Sequence, residues 1–157
     1  MKYKYGCLML GFKSKLIKQI QKNIDVEDLH ENGMETEHHI TILYGLVDKK
    51  IDDKEMIEFM KSIQPFNVYL SMVNLFENEE FDVLKIMVVD PKLHLLHTKC
   101  KEFPNKDKFP VYKPHSTIAY LKPGTGYKYT TNYEYESCKI TEVIYSKSNG
   151  KKIVIKL

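Results

Sequence analysis

Residues 37–45 read EHHITILYG, and the spacing inside that stretch decides the fold. On an extended chain, residues two apart point to the same side. His39 and Thr41 therefore share one face of a strand predicted over 37–43 and closed by Gly45, while Ile40 and Ile42 share the other. The pattern returns at 115–121, HSTIAYL, where His115 and Thr117 share a face and Ile118 backs the opposite one. A helix and a polar loop lead into each of these strands, almost half a chain apart. That echo predicts an α+β fold of two pseudo-symmetric lobes of antiparallel sheet, with helices packed outside and an active-site cleft between them.

The remaining elements are placed around these two strands. Residues 5–12, YGCLMLGF, read as an apolar strand, and Ser14 opens a helix in which Leu16, Ile17, Ile20 and Ile24 recur at spacings of three and four. The polar segment 27–35 contains the turn signal Asn32-Gly33 and is expected to be a loop. Asp52-Asp53 caps a second helix with the stripe Met56, Ile57, Met60 and Ile63, which Pro65 ends. Residues 66–76 and 81–89 form a predicted hairpin across Glu77-Asn78-Glu79-Glu80. Asp90-Pro91 starts a third helix carrying Leu93, Leu96, Cys100 and Phe103. Residues 124–132 look irregular, and 140–145 with 152–157 form a closing hairpin around Ser148-Asn149-Gly150. The order is β-α-β-α-β-β-α-β-β-β, read as a single domain over 1–157 with no linker or low-complexity tract.

The 157 residues are 43% hydrophobic and 29% charged, as in a water-soluble globular domain with a core of its own. No apolar run approaches the ~20 residues that span a bilayer, so no membrane partner is expected. The opening MKYKY lacks the apolar core of a signal peptide, and Cys7, Cys100 and Cys138 form neither an even set nor a CxxC pair. Both features predict a cytoplasmic, reducing location. A formal charge of +3 suits a small anionic ligand and falls short of a track for long nucleic acid. No P-loop, GxGxxG, GxSxG or HExxH pattern is present, which removes several enzyme classes.

Two strands that each present an imidazole beside a hydroxyl suit displacement at phosphorus. One His removes a proton from the attacking hydroxyl and the other delivers one to the leaving oxygen. An ordinary pKa of ~6.5 populates both forms of histidine near neutrality. Thr41 and Thr117 donate hydrogen bonds to non-bridging phosphate oxygens. No metal and no cofactor is needed for this chemistry. Which His is base and which is acid stays open at this point.

These paired motifs resemble the 2H phosphoesterase superfamily, which includes RNA ligase-like phosphodiesterases, cyclic phosphodiesterases and enzymes that cleave 2′-5′ oligoadenylates. EHHITILYGL, YKPHSTIAYLKPG and KITEVIYS are similar to the phage anti-CBASS phosphodiesterases, which destroy cyclic di- and trinucleotide signals of bacterial antiviral defence. That resemblance implies attack by a ribose 2′-hydroxyl on its own 3′-5′ phosphodiester, opening the ring to a 2′,3′-cyclic phosphate or a terminal phosphate. The family's catalytic His and Thr pairs correspond to His39, Thr41, His115 and Thr117. Its base-contacting Glu corresponds to Glu142, and Phe76 stands where a stacking Trp is expected. The alternatives are a 2′-5′ oligoadenylate or RNA 2′,3′-cyclic phosphate as substrate, or a module that binds a nucleotide without cleaving it.

Other side chains near the motifs are weighed one by one. Tyr44 and Tyr112 flank them and are candidates to contact a base or phosphate, although regular alternation puts Tyr44 on the Ile40/Ile42 face. Lys113 is a candidate phosphate contact. Alternation turns His38 away from the cleft. His94, His97 and Cys100 recur along the third helix without a fourth ligand, so no metal site is expected there.

Overall fold

The computed structural model describes residues 2–157, with the backbone alone over 133–135. Its elements are β1 (Gly6–Phe12), α1 (Lys15–Lys22), β2 (Leu29–Met34), β3 (His39–Leu46), α2 (Asp53–Ser62), β4 (Asn67–Glu77), β5 (Asp82–Val89), α3 (Pro91–Cys100), β6 (His115–Leu121), β7 (Thr131–Ser146) and β8 (Lys152–Lys156). The helix starts follow the sequence signals. Ser14 Oγ accepts from Ile17 N at 3.0 Å, Asp52 caps α2 through Lys54 N, and Asp90 caps α3 with Pro91 in the first turn.

All strand pairs are antiparallel, in the order β2-β6-β5-β4-β7-β1-β3, with β8 also on β7. The sixteen-residue β7 joins the two lobes. Its first part pairs with β4, from Thr131 opposite Val73 to Lys139 opposite Asn67. Its last part lies between β1 and β8, with Glu142 opposite both Gly11 and Lys156. The fold is thus α+β and two-lobed, and each lobe contains a strand–helix–strand unit: β1-α1-β3, with β2 inserted before β3 and paired to the other lobe, and β5-α3-β6.

The helices are exchanged between these units. α1 packs against β6 and α3 against β3, and β3 and β6 approach within 8 Å between Cα atoms without sharing a ladder. Leu8, Leu10, Ile40, Ile42, Leu84, Ile86, Ile118 and Ala119 point from the sheets into the core, where Ile17 and Ile20 of α1 and Leu93 and Cys100 of α3 are also buried. Each large aliphatic side chain among them contributes roughly 1.5–3 kcal/mol on burial. That one-sided burial leaves the alternate residues of β1, β3, β5 and β6 to line a cleft.

Two segments differ from the sequence reading. Residues 27–35, expected to be a loop, include β2, which pairs with β6 at Leu29–Leu121 and Met34–Ala119. β2 lies at the sheet edge and its middle residues Glu31 and Asn32 are exposed, so no hydrophobic alternation marks it. Residues 124–132, expected to be irregular, contain a 3₁₀ turn at Gly126–Tyr129 and the start of β7. The buried Asp82 organises them by accepting from Gly124 N and Gly126 N, both at 3.0 Å. A Cβ at Gly126 would lie 2.5 Å from Leu75 Cδ2, so the chain is held close to β4 by a contact no local pattern encodes.

Candidate active site

Both His-x-Thr motifs lie on the cleft side of their strands and are built alike. His39 Nδ1 is 3.1 Å from the carbonyl of Glu37, and His115 Nδ1 is 2.9 Å from the carbonyl of Lys113. A carbonyl only accepts, so Nδ1 carries the hydrogen in each ring and Nε2 is left to exchange a proton. Each imidazole is thereby oriented by the backbone two residues before it. The charge of His39 helps to lower the pKa of His115, after burial and Lys85.

Register supplies the neighbours. In the first lobe one row crosses the sheet as His39, Gly11, Glu142 and Lys156, and the next as Thr41, Met9, Ile144 and Val154. In the second, His115 lies opposite Met87, and the following row is Thr117, Lys85 and Asn74. A Cβ on Gly11 would fall 2.7 Å from Glu142 Cγ and 2.9 Å from its Oε1. The glycine leaves that space to the Glu142 side chain, which lies across β1 toward β3 while Lys156 holds its Oε2 at 2.6 Å.

A bulge recurs after each motif. Leu8 pairs with Leu43 and Met9 with Thr41, so Ile42 is an extra residue, while Leu84 pairs with Ala119 and Lys85 with Thr117, making Ile118 its counterpart. A bulged residue drops out of the ladder and reverses the facing of the residues after it. Tyr44 therefore returns to the cleft side, 47% exposed, rather than to the Ile40/Ile42 face that alternation indicates. Tyr120 does the same in the second lobe and shares a row with Val83 and the exposed Phe76. Each tyrosine ring meets an aromatic edge, Tyr44 with Tyr5 at 6.0 Å and Tyr120 with Phe81 at 5.3 Å.

Side chains of the exchanged helices bind both bulged carbonyls, and that of Ile118 also accepts from Glu35 N at 3.0 Å. Gln21 Nε2 on α1 donates to Ile118 O at 3.0 Å and to Glu35 O at 2.8 Å. His97 Nδ1 on α3 donates to Ile42 O at 2.7 Å. Tyr112 stacks on His97 at 4.2 Å between ring centroids, and its hydroxyl donates to Thr41 O at 2.8 Å. The polar end of Tyr112, a candidate substrate contact in the sequence, is thus engaged beneath β3. Burial pushes its hydroxyl pKa far above the ordinary range, so it stays a donor.

The other candidates separate in the same way. Lys113 is exposed, and its backbone carbonyl is what orients His115. His94, His97 and Cys100 go to three separate tasks: an edge contact with Tyr112, the bond to Ile42, and the core. His38 is buried against Phe12 and lines a cavity that His39 also lines, and burial, then the charges of Lys18 and His39, lower its pKa.

Lys85, Tyr120, Gln21 and His97 escape the sequence reading as parts of the site. Lys85 is legible as the one charge inside the apolar run 83–89, and Tyr120 as the sixth residue of a His-x-Thr-x-x-Tyr pattern that Tyr44 shares. Nothing local marks Gln21 or His97.

Burial holds the His115 pKa below the ordinary ~6.5, and the charges of Lys85 and His39 lower it further, partly opposed by the bond to Lys113. Followed by NMR, His115 is expected to release its proton below ~6.5. Lys85→Met should move that titration upward, because it removes a like charge. An ordinary or raised value in the unsubstituted protein would contradict the geometry.

No family profile matches the sequence, and no curated protein does. Among solved structures, TT0787 of Thermus thermophilus has a TM-score of 0.59 at 13% identity, over 98% of this chain and 94% of that one. The likeness is one of fold. Among the described residues, no helix is long and apolar enough to cross a membrane.

Proposed function

We propose that the protein is a 2H-type phosphodiesterase that opens cyclic oligonucleotide second messengers, and so counters bacterial antiviral signalling. The observation that carries this reading is the duplicated imidazole, with Nδ1 fixed by the carbonyl two residues earlier and Nε2 free, in both lobes. Two such groups in one cleft are what a concerted proton removal and delivery at phosphorus requires. A binding module has no need of them.

In the proposed step His115, kept neutral by burial and by Lys85, takes the proton of a ribose 2′-hydroxyl. The 2′-oxygen bonds to phosphorus, the bond from phosphorus to the 5′-oxygen breaks, and His39 protonates that oxygen. The product carries a 2′,3′-cyclic phosphate at one end and a 5′-hydroxyl at the other. Thr41, Thr117 and Lys85 surround the phosphate and stabilise its charge. Phe76 and Tyr120 offer apolar rings for a base, and Glu142 Oε1 is an acceptor for an exocyclic amine.

Incubation with 3′,3′-cGAMP and with cyclic tri-AMP in excess EDTA, followed by mass spectrometry, tests this. The protein is expected to open at least one ring without added metal. If both rings survive while a 2′-5′ oligoadenylate or an RNA 2′,3′-cyclic end is consumed, the chemistry stands and the substrate assignment falls. A strict requirement for added divalent metal, or tight binding with ligand recovered unchanged, would overturn the mechanism.

A further inference from the structure

A cavity of about 490 Å³ opens beside His39, lined on one side by Lys13 and Lys18 and on the other by Lys152 and Lys156. Sites for whole small ligands begin at roughly 300 Å³, so this volume exceeds what a lone phosphate needs. Lys156 is neutralised by Glu142 at 2.6 Å, whereas Lys13, Lys18 and Lys152 make no salt bridge among the described residues. Glu35 and Glu37 also line the cavity, so four lysines face three glutamates and one positive charge is left over. That balance matches the single negative charge of an internal phosphodiester better than a terminal phosphate dianion. His38, kept neutral and stacked at a tilt on Phe12 at 6.0 Å, adds an uncharged polar edge to the wall.

The second lobe differs at the position that gives room beside His39. There Met87 occupies the place of Gly11, and Lys85 and Asn74 close the row that continues from Thr117. The asymmetry gives the cleft a direction. If His39 delivers the proton to the departing 5′-oxygen, the nucleotide bearing that oxygen extends past His39, where the cavity lies. Its own 3′-phosphodiester then falls among the lysines.

Resting on the two-histidine reading above, we propose that this cavity seats the leaving nucleotide and that Lys13, Lys18 and Lys152 hold its 3′-phosphodiester. The preferred substrate accordingly carries a second diester on the leaving side, as a cyclic dinucleotide does. A mononucleoside 2′,3′-cyclic phosphate leaves the cavity unused.

Binding can be separated from cleavage by ligands that lack the attacking hydroxyl. The probes are 3′,3′-cyclic di-(2′-deoxyadenylate), with two diesters, and 2′-deoxyadenosine 3′,5′-cyclic phosphate, with one. Calorimetric titration should show the two-diester ring binding at least tenfold tighter. In Lys13→Gln/Lys18→Gln that advantage should shrink about tenfold, with a weaker dependence of affinity on salt. Both lysines are exposed, so the fold should tolerate the change. An equal advantage in both proteins, or none in the unsubstituted one, overturns the subsite. Ring opening of the ribose-containing dinucleotide that ignores the lysines would also overturn it while leaving the two-histidine chemistry intact. Lysine-dependent binding with no ring opening supports the subsite and sinks the chemistry.

Discussion

Replacing His115 with Ala is expected to lower turnover of a cleaved cyclic dinucleotide by ~10²–10⁴, the usual contribution of a positioned acid or base. His39→Ala should fall in the same range. The two losses should not multiply, because both imidazoles act in one displacement and the second has little to accelerate once the first is gone. Neither ring is in the core, and among the described residues each makes one hydrogen bond, to a backbone carbonyl near in sequence. Thermal melts of both variants should therefore stay close to that of the parent, which separates lost chemistry from lost structure. The variants also differ in pH dependence. The kcat/KM of the parent should rise with pH as His115 loses its proton, below ~6.5, and that acidic limb should vanish in His115→Ala and survive in His39→Ala. Retention of more than a tenth of the parent rate in either variant would remove that histidine from catalysis.

What the sequence reveals and conceals here depends on the range of the forces involved. A strand with one buried face must alternate, so the two His-x-Thr strands, β1 and the hairpin of β4 and β5 can be found by period alone. Capped helices announce themselves within four residues, as at Asp52 and Asp90-Pro91. β2 does not, because its polar edge buries too little to impose a pattern. The length of β7 is hidden for a related reason. Its first part runs along β4 with exposed residues such as Thr131, Asn132 and Ser137, so only its last, buried part alternates clearly.

The site shows the same division more sharply. His39 and Thr41 share a sheet face with Glu142 in the first lobe, and His115 and Thr117 share one in the second, because spacing by two along a strand is enough to align them. Alternation puts Tyr44 on the wrong face because a bulge at Ile42 breaks the period. The carbonyl freed by that bulge is captured by His97, 55 residues away. Tyr112 escapes local reading in the same way, since its hydroxyl bonds Thr41 O, 71 residues back along the chain. Contacts of such separation leave no local trace.

These captured carbonyls lead to the second large effect expected. His97→Ala leaves the Ile42 carbonyl without its side-chain donor, a cost of roughly 1–3 kcal/mol in stability, whereas Gln21→Ala should cost less, because the Ile118 carbonyl still accepts from Glu35 N at 3.0 Å. The catalytic consequence should be larger than that figure implies. These carbonyls belong to the residues directly after Thr41 and Thr117, so relaxing either bulge moves a Thr and its His against the phosphate. A displacement of about 1 Å in a reacting group is able to cost ~10² in rate. The double variant is therefore expected to lose about that factor in kcat with KM changed little, because the bases are bound by other parts of the cleft. His97→Asn should recover much of the loss, since its amide nitrogen occupies nearly the place of Nδ1 and donates to the same Ile42 carbonyl. Tyr112→Phe should reproduce a milder form of the His97→Ala defect through the lost bond to Thr41 O. A purely structural role predicts a lower melting temperature with unchanged kcat below it, and that result would refute the positioning argument. Each lobe's helix holds the other lobe's His-x-Thr strand, so the expected loss follows when the exchanged bonds are removed.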